Sequence, residues 1–147
     1  SSVCTNGAIF AIRYEQINAK TMINDLIGKS KTLSLTLTEA QSAITVGSGD
    51  VPVLGTPALI ALLENASVQL VAPELATDES TVGIRVELNH TRATALGRTV
   101  KATATLTAVE GRKLLFDLSA EDERGTIADG RLERFLISRE RFLSKLA

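Results

Sequence analysis

The 147-residue chain holds one cysteine, one histidine, one methionine and no tryptophan, and aromatic residues make up only 3% of it. A lone cysteine, Cys4, cannot close an internal disulfide, which fits a reducing compartment. One histidine and one cysteine cannot assemble an ordinary zinc site, and no metal or cofactor is expected. Charge of one sign is missing too: 16 basic against 17 acidic residues give a formal net charge of -1. Without a basic stripe or aromatic stacking platforms, nucleic acid is excluded as a partner. No apolar run approaches the roughly 18 residues of a membrane span, so no membrane partner is expected. GAIFAI, near the start, is too short for a signal-peptide core and has no basic segment before it. The expected localisation is therefore cytoplasmic. Familiar catalytic motifs are lacking as well. Gly47-Ser48-Gly49 is followed by Pro52 where the third glycine of a dinucleotide loop would stand. There is no phosphate-loop lysine motif and no nucleophile elbow.

What is present is an ordinary globular composition, 44% hydrophobic and 22% charged. The length is enough for one domain with a substantial core. Met22 is the sole methionine and residue 1 is serine. Residues 1–21 are accordingly set apart as an N-terminal extension, and residues 22–147 are expected to form one domain.

Residues 31–38, KTLSLTLT, alternate apolar and polar and predict a strand with Leu33, Leu35 and Leu37 on one face. GSGDVPVLGT, residues 47–56, is a loop. Thr56-Pro57 then marks a helix start, with threonine as the capping residue, and the helix should run to about residue 72, before Pro73. Residues 58–63 are apolar on every side, which predicts a buried helix. Four alternating runs follow, over 81–91, 99–109, 113–121 and 126–138, and then a short helix over 139–146. Glu110-Gly111-Arg112 and Arg124-Gly125 supply tight connections. Four strands with one apolar face must be covered, and the apolar helix is the one long element able to do it. The pattern predicts an α+β hotdog fold, an antiparallel sheet wrapped around one central helix. So apolar a helix exceeds what one thin sheet covers, so a dimer is expected.

Glu64 is the one charged residue in VLGTPALIALLENAS, and its neighbours at three and four residues, Ile60, Ala61, Ser67 and Val68, include no counter-ion. A buried unpaired carboxylate is costly, so Glu64 either meets an arginine from the sheet or serves a site. His90 extends the row Val82, Ile84, Val86 and Leu88, which should face the helix. Histidine and a carboxylate meeting in a cleft are the parts of a proton-transfer pair. Thr56 is either only a cap or presents its hydroxyl and the free helix-start amides to a carbonyl oxygen. Eight residues separate Thr56 from Glu64, about 12 Å along a helix and roughly 80° around it, so His90 or a substrate should lie between them. Arg134 stands on the apolar row of the last strand, placed either to neutralise Glu64 or to bind a phosphate or carbonyl.

With these residues on that pattern, the sequence resembles the fluoroacetyl-CoA thioesterase-like family of hotdog proteins. VGSGDVPVLGTPALIALLENA resembles the family's loop and central helix, TVGIRVELNHTRAT its second strand, and VEGRKLLFDLSAEDE and GRLERFLI its last two strands. The resemblance spans about residues 31–146. It implies a homodimer or dimer of dimers that hydrolyses a small acyl-CoA thioester to free acid and CoA. The family's catalytic set then falls on Thr56, Glu64 and His90, its substrate-side strand glycine on Gly83 and its active-site arginine on Arg134. Members specialised for fluoroacetyl-CoA carry bulky aromatics in the loop ahead of the threonine. Here that loop holds Gly47, Asp50, Val51 and Val53, so the resemblance does not extend to an aromatic lid or to that substrate. The alternatives are a hotdog dimer that binds acyl-CoA or another small ligand without turnover, and a purely structural dimer module.

Overall fold

A computed structural model describes residues 23–147, so the expectation for residues 1–21 lies outside the described residues. Strand β1 is Ser30–Thr36, and a short helical turn, α1, is Ala43–Val46. The central helix α2 is Thr56–Val71, strands β2 to β5 are Glu79–His90, Thr99–Glu110, Lys113–Asp122 and Gly125–Ser138, and α3 is Arg139–Ser144. The strands form one sheet in the order β1-β3-β4-β5-β2, antiparallel throughout. This is the expected hotdog arrangement. Gly111 closes the β3–β4 hairpin in the left-handed backbone region, at φ 64°, where a side chain would be strained.

The sheet's inner face follows the apolar alternation. Val100, Ala102, Ala104 and Leu106 of β3 are fully buried, as are Leu114 and Phe116 of β4 and Leu132 of β5. The small alanines in the middle of β3 let α2 lie close, and Leu59, Leu63, Ala66 and Val71 fill the space from above. The helix rests chiefly over β3 and β1. It is buried along one stripe rather than all round: Thr56, Ala61 and Asn65 are exposed, and Val68 is 37% exposed. Among the described residues nothing covers that flank of an apolar helix.

Two bulges revise the expected rows. Between Leu106 and Ala108 the register of β3 slips, so Val109 faces Leu114 and Ala108 leaves the inner row. In β2 the slip falls between Gly83 and Arg85. Val82 pairs with Phe135 on the outer face, while Gly83 pairs with Arg134 on the inner one. Thr81 and Gly83 therefore face inward ahead of the bulge, and Val86, Leu88 and His90 behind it. The single inward row from Val82 to His90 does not exist.

Candidate active site

The loop ahead of α2 is held by two short bridges, Ser42 to Leu54 and Val53 to Ala95. The helix cap is Gly55, not Thr56, and no side chain bonds the first amides. Thr56 is the first helical residue. Its hydroxyl, free of capping, shares a 2.8 Å hydrogen bond with His90 Nδ1. The capping role expected of Thr56 is thus overturned, because glycine takes that position and the hydroxyl turns toward β2. Pro57 has no N–H, which leaves the amides of Thr56 and Ala58 as the free donors of the first turn.

His90 ends β2 and faces the helix start. Burial pushes its pKa below the ordinary histidine value, opposed in part by the backbone of Arg92. Its Nε2 is buried without a hydrogen-bond partner among the described residues. Thr56 and His90 stand in an open cleft of about 290 Å³ whose walls include Gly49, Val51, Val53 and Arg92. Among the described residues no Phe or Tyr lines it.

Glu64 lies two turns further along α2 and faces the other end of β2. Arg134 Nη1 donates to Glu64 Oε2 at 2.6 Å. Arg134 also donates from Nε to Thr81 Oγ1 at 3.0 Å and from Nη2 to the Thr81 carbonyl at 2.8 Å. The guanidinium is 92% buried by side chain, so these three acceptors replace the water it has lost. Burial lowers the Arg134 pKa and Glu64 opposes that change. Of the two options read for Arg134, the structure shows the pairing with Glu64. Gly83 is exposed, and a Cβ there would run into Glu64 Oε2 and stand 3.3 Å from Arg134 Nη1. The absence of a side chain at Gly83 lets the carboxylate reach the strand.

The five candidate residues thus form two clusters between α2 and β2, and the cleft at Thr56 and His90 does not include Glu64, Gly83 or Arg134 in its walls. Thr56 and His90 form one cluster; Glu64 and Arg134, against Gly83, form the other. Thr56, Ile60 and Glu64 follow one another at helical i,i+4 spacing, about 6 Å per step along the axis. Glu64 makes no hydrogen bond with His90 within the chain, because Gly83 and His90 are about 20 Å apart along an extended strand. Thr81 is the site residue that the sequence reading missed. Its polarity breaks no pattern, and only the bulge turns it inward.

The family model for fluoroacetyl-CoA-specific thioesterases matches residues 37–140. The chain is 39% identical over 94 residues to the fluoroacetyl-CoA thioesterase of Streptantibioticus cattleyicolor, covering 64% of this chain and 68% of that one. Among solved structures it is similar to the fluoroacetyl-CoA thioesterase FlK, with TM-score 0.78 at 32% identity over 82% of this chain and 93% of that one. A threonine-to-serine variant of FlK in complex with acetyl-CoA also aligns with TM-score 0.78, at 30% identity over 82% of this chain and 95% of that one. A hot-dog-like protein from Thermanaerovibrio acidaminovorans shares the fold, with TM-score 0.77 at 22% identity over 84% of this chain and 93% of that one.

Proposed function

The chain belongs to the fluoroacetyl-CoA-specific thioesterase family, and on that premise we propose that it hydrolyses a small acyl-CoA thioester to the free acid and CoA, using Thr56, His90 and Glu64. The observation that carries this is the 2.8 Å bond between the released Thr56 hydroxyl and the sole imidazole. It has the geometry of a hydroxyl beside its general base.

The thioester carbonyl would sit at the start of α2, where the Thr56 and Ala58 amides offer hydrogen bonds to the oxyanion. With its proton on Nε2, His90 accepts from the Thr56 hydroxyl at Nδ1. As an oxygen attacks the carbonyl carbon, its proton passes to Nδ1. The C–S bond then breaks, and the imidazolium returns that proton to the leaving sulfur. The attacking oxygen is either Thr56 Oγ1, giving an acyl-threonine that a water deprotonated by the same imidazole then cleaves to the acid and free Thr56, or a water whose proton reaches Nδ1 through the Thr56 hydroxyl. Both routes use the same base, and rapid-quench trapping of an acyl-threonine separates them. No metal is needed, since a thioester is already activated. Glu64, kept near the strand by Arg134 and Gly83, would act from the second cluster, directing the imidazole or water through the bound substrate or a second copy. The Arg134 pair favours one narrower alternative, in which Glu64 only fixes the helix against β2.

The reading includes a homodimer and a cytoplasmic, reducing location. Val68 at 37%, Val86 at 40% and Ile84 at 51% exposure support the dimer, since all three flank the uncovered side of α2 or the edge of β2. Among the described residues, no helix is long and apolar enough to cross a membrane.

The test is free-thiol release from a panel of short acyl-CoAs. Wild type should turn over at least one of them, and Thr56→Ala and His90→Ala should each lose about a hundredfold in kcat. Binding without thiol release throughout would indicate a ligand-binding module. Full activity in Glu64→Gln would assign Glu64 the structural part.

A further inference from the structure

The segment that leaves β2 after His90 has its own anchor. Thr91 and Arg92 donate their amides to the Ile127 carbonyl at 2.8 and 3.3 Å. Two residues on, the Thr94 carbonyl accepts from the Leu54 amide at 2.9 Å, and Ala95 bridges to Val53. Leu54 is followed directly by the cap Gly55 and by Thr56. One short segment therefore ties both partners of the 2.8 Å bond together: His90 by chain continuity, and Thr56 through Leu54.

At the end of β4, Asp122 holds this segment in place. Its Oδ1 accepts from Arg92 Nη2 at 2.9 Å and from the Arg124 amide at 2.8 Å. Its Oδ2 accepts from Thr94 Oγ1 at 2.9 Å. The Asp122 side chain is 96% buried and Thr94 is 98% buried. Arg92 is held further by the Gly125 carbonyl at 3.1 Å and the Arg124 carbonyl at 3.3 Å. A buried carboxylate that receives three donors is fixed in direction, and so are the groups that donate to it. Burial alone would raise its pKa, but the Arg124 amide, the Thr94 hydroxyl and Arg92 outweigh burial and lower it.

We propose that Asp122 is the positioning residue of the site: through Arg92 and Thr94 it sets the distance between the Thr56 hydroxyl and His90. It touches neither reacting residue. Its meaning for catalysis rests on the thioesterase assignment above, whereas its effect on His90 does not.

His90 is the sole histidine, so one imidazole signal in an NMR titration of the untagged protein reports the site with no substrate present. In wild type the ring should titrate below the ordinary histidine range. In Asp122→Asn, Arg92→Gln and Thr94→Val, of which the last two each remove one arm, the titration should move up toward that range. With a turned-over acyl-CoA, kcat of Asp122→Asn and Thr94→Val should fall about tenfold while KM changes less than about threefold, whereas Arg92, a wall of the cleft, is judged by the titration. Leu106→Ala, a fully buried core substitution opposite Phe116 and about 20 Å along the sheet from Asp122, serves as a control for general loss of stability and should leave the His90 titration in place. If Asp122→Asn does not fold, the two single-arm variants carry the test. Folded variants with an unmoved His90 titration would overturn the proposal. A wild type that releases no thiol from any acyl-CoA would overturn the enzyme assignment instead, and the titration would still decide the role of Asp122.

Discussion

A histidine whose charged form is disfavoured by burial stays neutral at pH 7, the state in which Nδ1 can accept a proton. The sign has two consequences. Activity that needs the neutral ring should be level around neutrality and fall only as pH drops below the ordinary histidine value of about 6.5. Stability should follow in the same direction. Between the two pKa values the unfolded chain binds a proton that the folded chain does not, so this contribution is complete above about pH 6.5 and is lost as pH falls through the folded value. A pH–rate profile of kcat/KM and urea melts at pH 5 and 7 check both. An acid limb of kcat/KM lying above pH 6.5 would contradict the first. Thr56 carries the complementary lesson. Thr-Pro is a standard helix-start signature, and it does mark the helix start here, one position later than a cap. The hydroxyl became available for chemistry because Gly55 precedes it, a shift that capping preferences alone do not foretell.

At the scale of elements, β2 is the part that decides the site. Gly83 gives a prediction there: Gly83→Ala places a methyl against the Glu64 carboxylate and must displace either that side chain or the strand. Thiol release should fall at least about tenfold, with a loss of about 1–3 kcal/mol in stability, measured by thermal and urea unfolding. Wild-type turnover in Gly83→Ala would show that the close approach has no function. Every long element was legible in the sequence. The observed helix Thr56–Val71 and all five strands lie within two residues of the alternation or helical runs that announce them. The bulges were not, because an inserted residue leaves local alternation intact and shows itself only in pairing with the neighbouring strand. Val82, Ile84 and Val86 look like one face by spacing, yet Val82 lies opposite Phe135 on the outer one. The turn at Glu39–Gln41 was missed although its signal is present, since Thr38 and Gln41 form a capping box.

For the molecule as a whole, the consequence of the topology is an unpaired edge. Among the described residues strand β2 bonds only β5, and it exposes Val86 on its inner face and Ile84 on its outer one. Exposed apolar edges invite pairing with another chain. Wild type should sediment as a dimer, and Val86→Glu should shift it toward monomer with loss of thiol release. A monomeric, fully active wild type would confine the site to one chain. The apolar character of α2 led to the expectation of a dimer, and Val68 marks the flank left open among the described residues. The pairing of Arg134 with Glu64 was foreseen only as one of two options, because proximity across 70 residues of sequence depends on the register of β2 against β5.

The bulge at Gly83–Arg85 puts one unpaired residue, Ile84, into the middle of β2. Deleting Ile84 would join Gly83, opposite Arg134, directly to Arg85, opposite Glu133, so every inward side chain of β2 would keep its facing. What the insertion supplies is therefore local twist rather than facing: a corner in the strand whose removal would straighten it and shift Gly83 and His90 relative to each other.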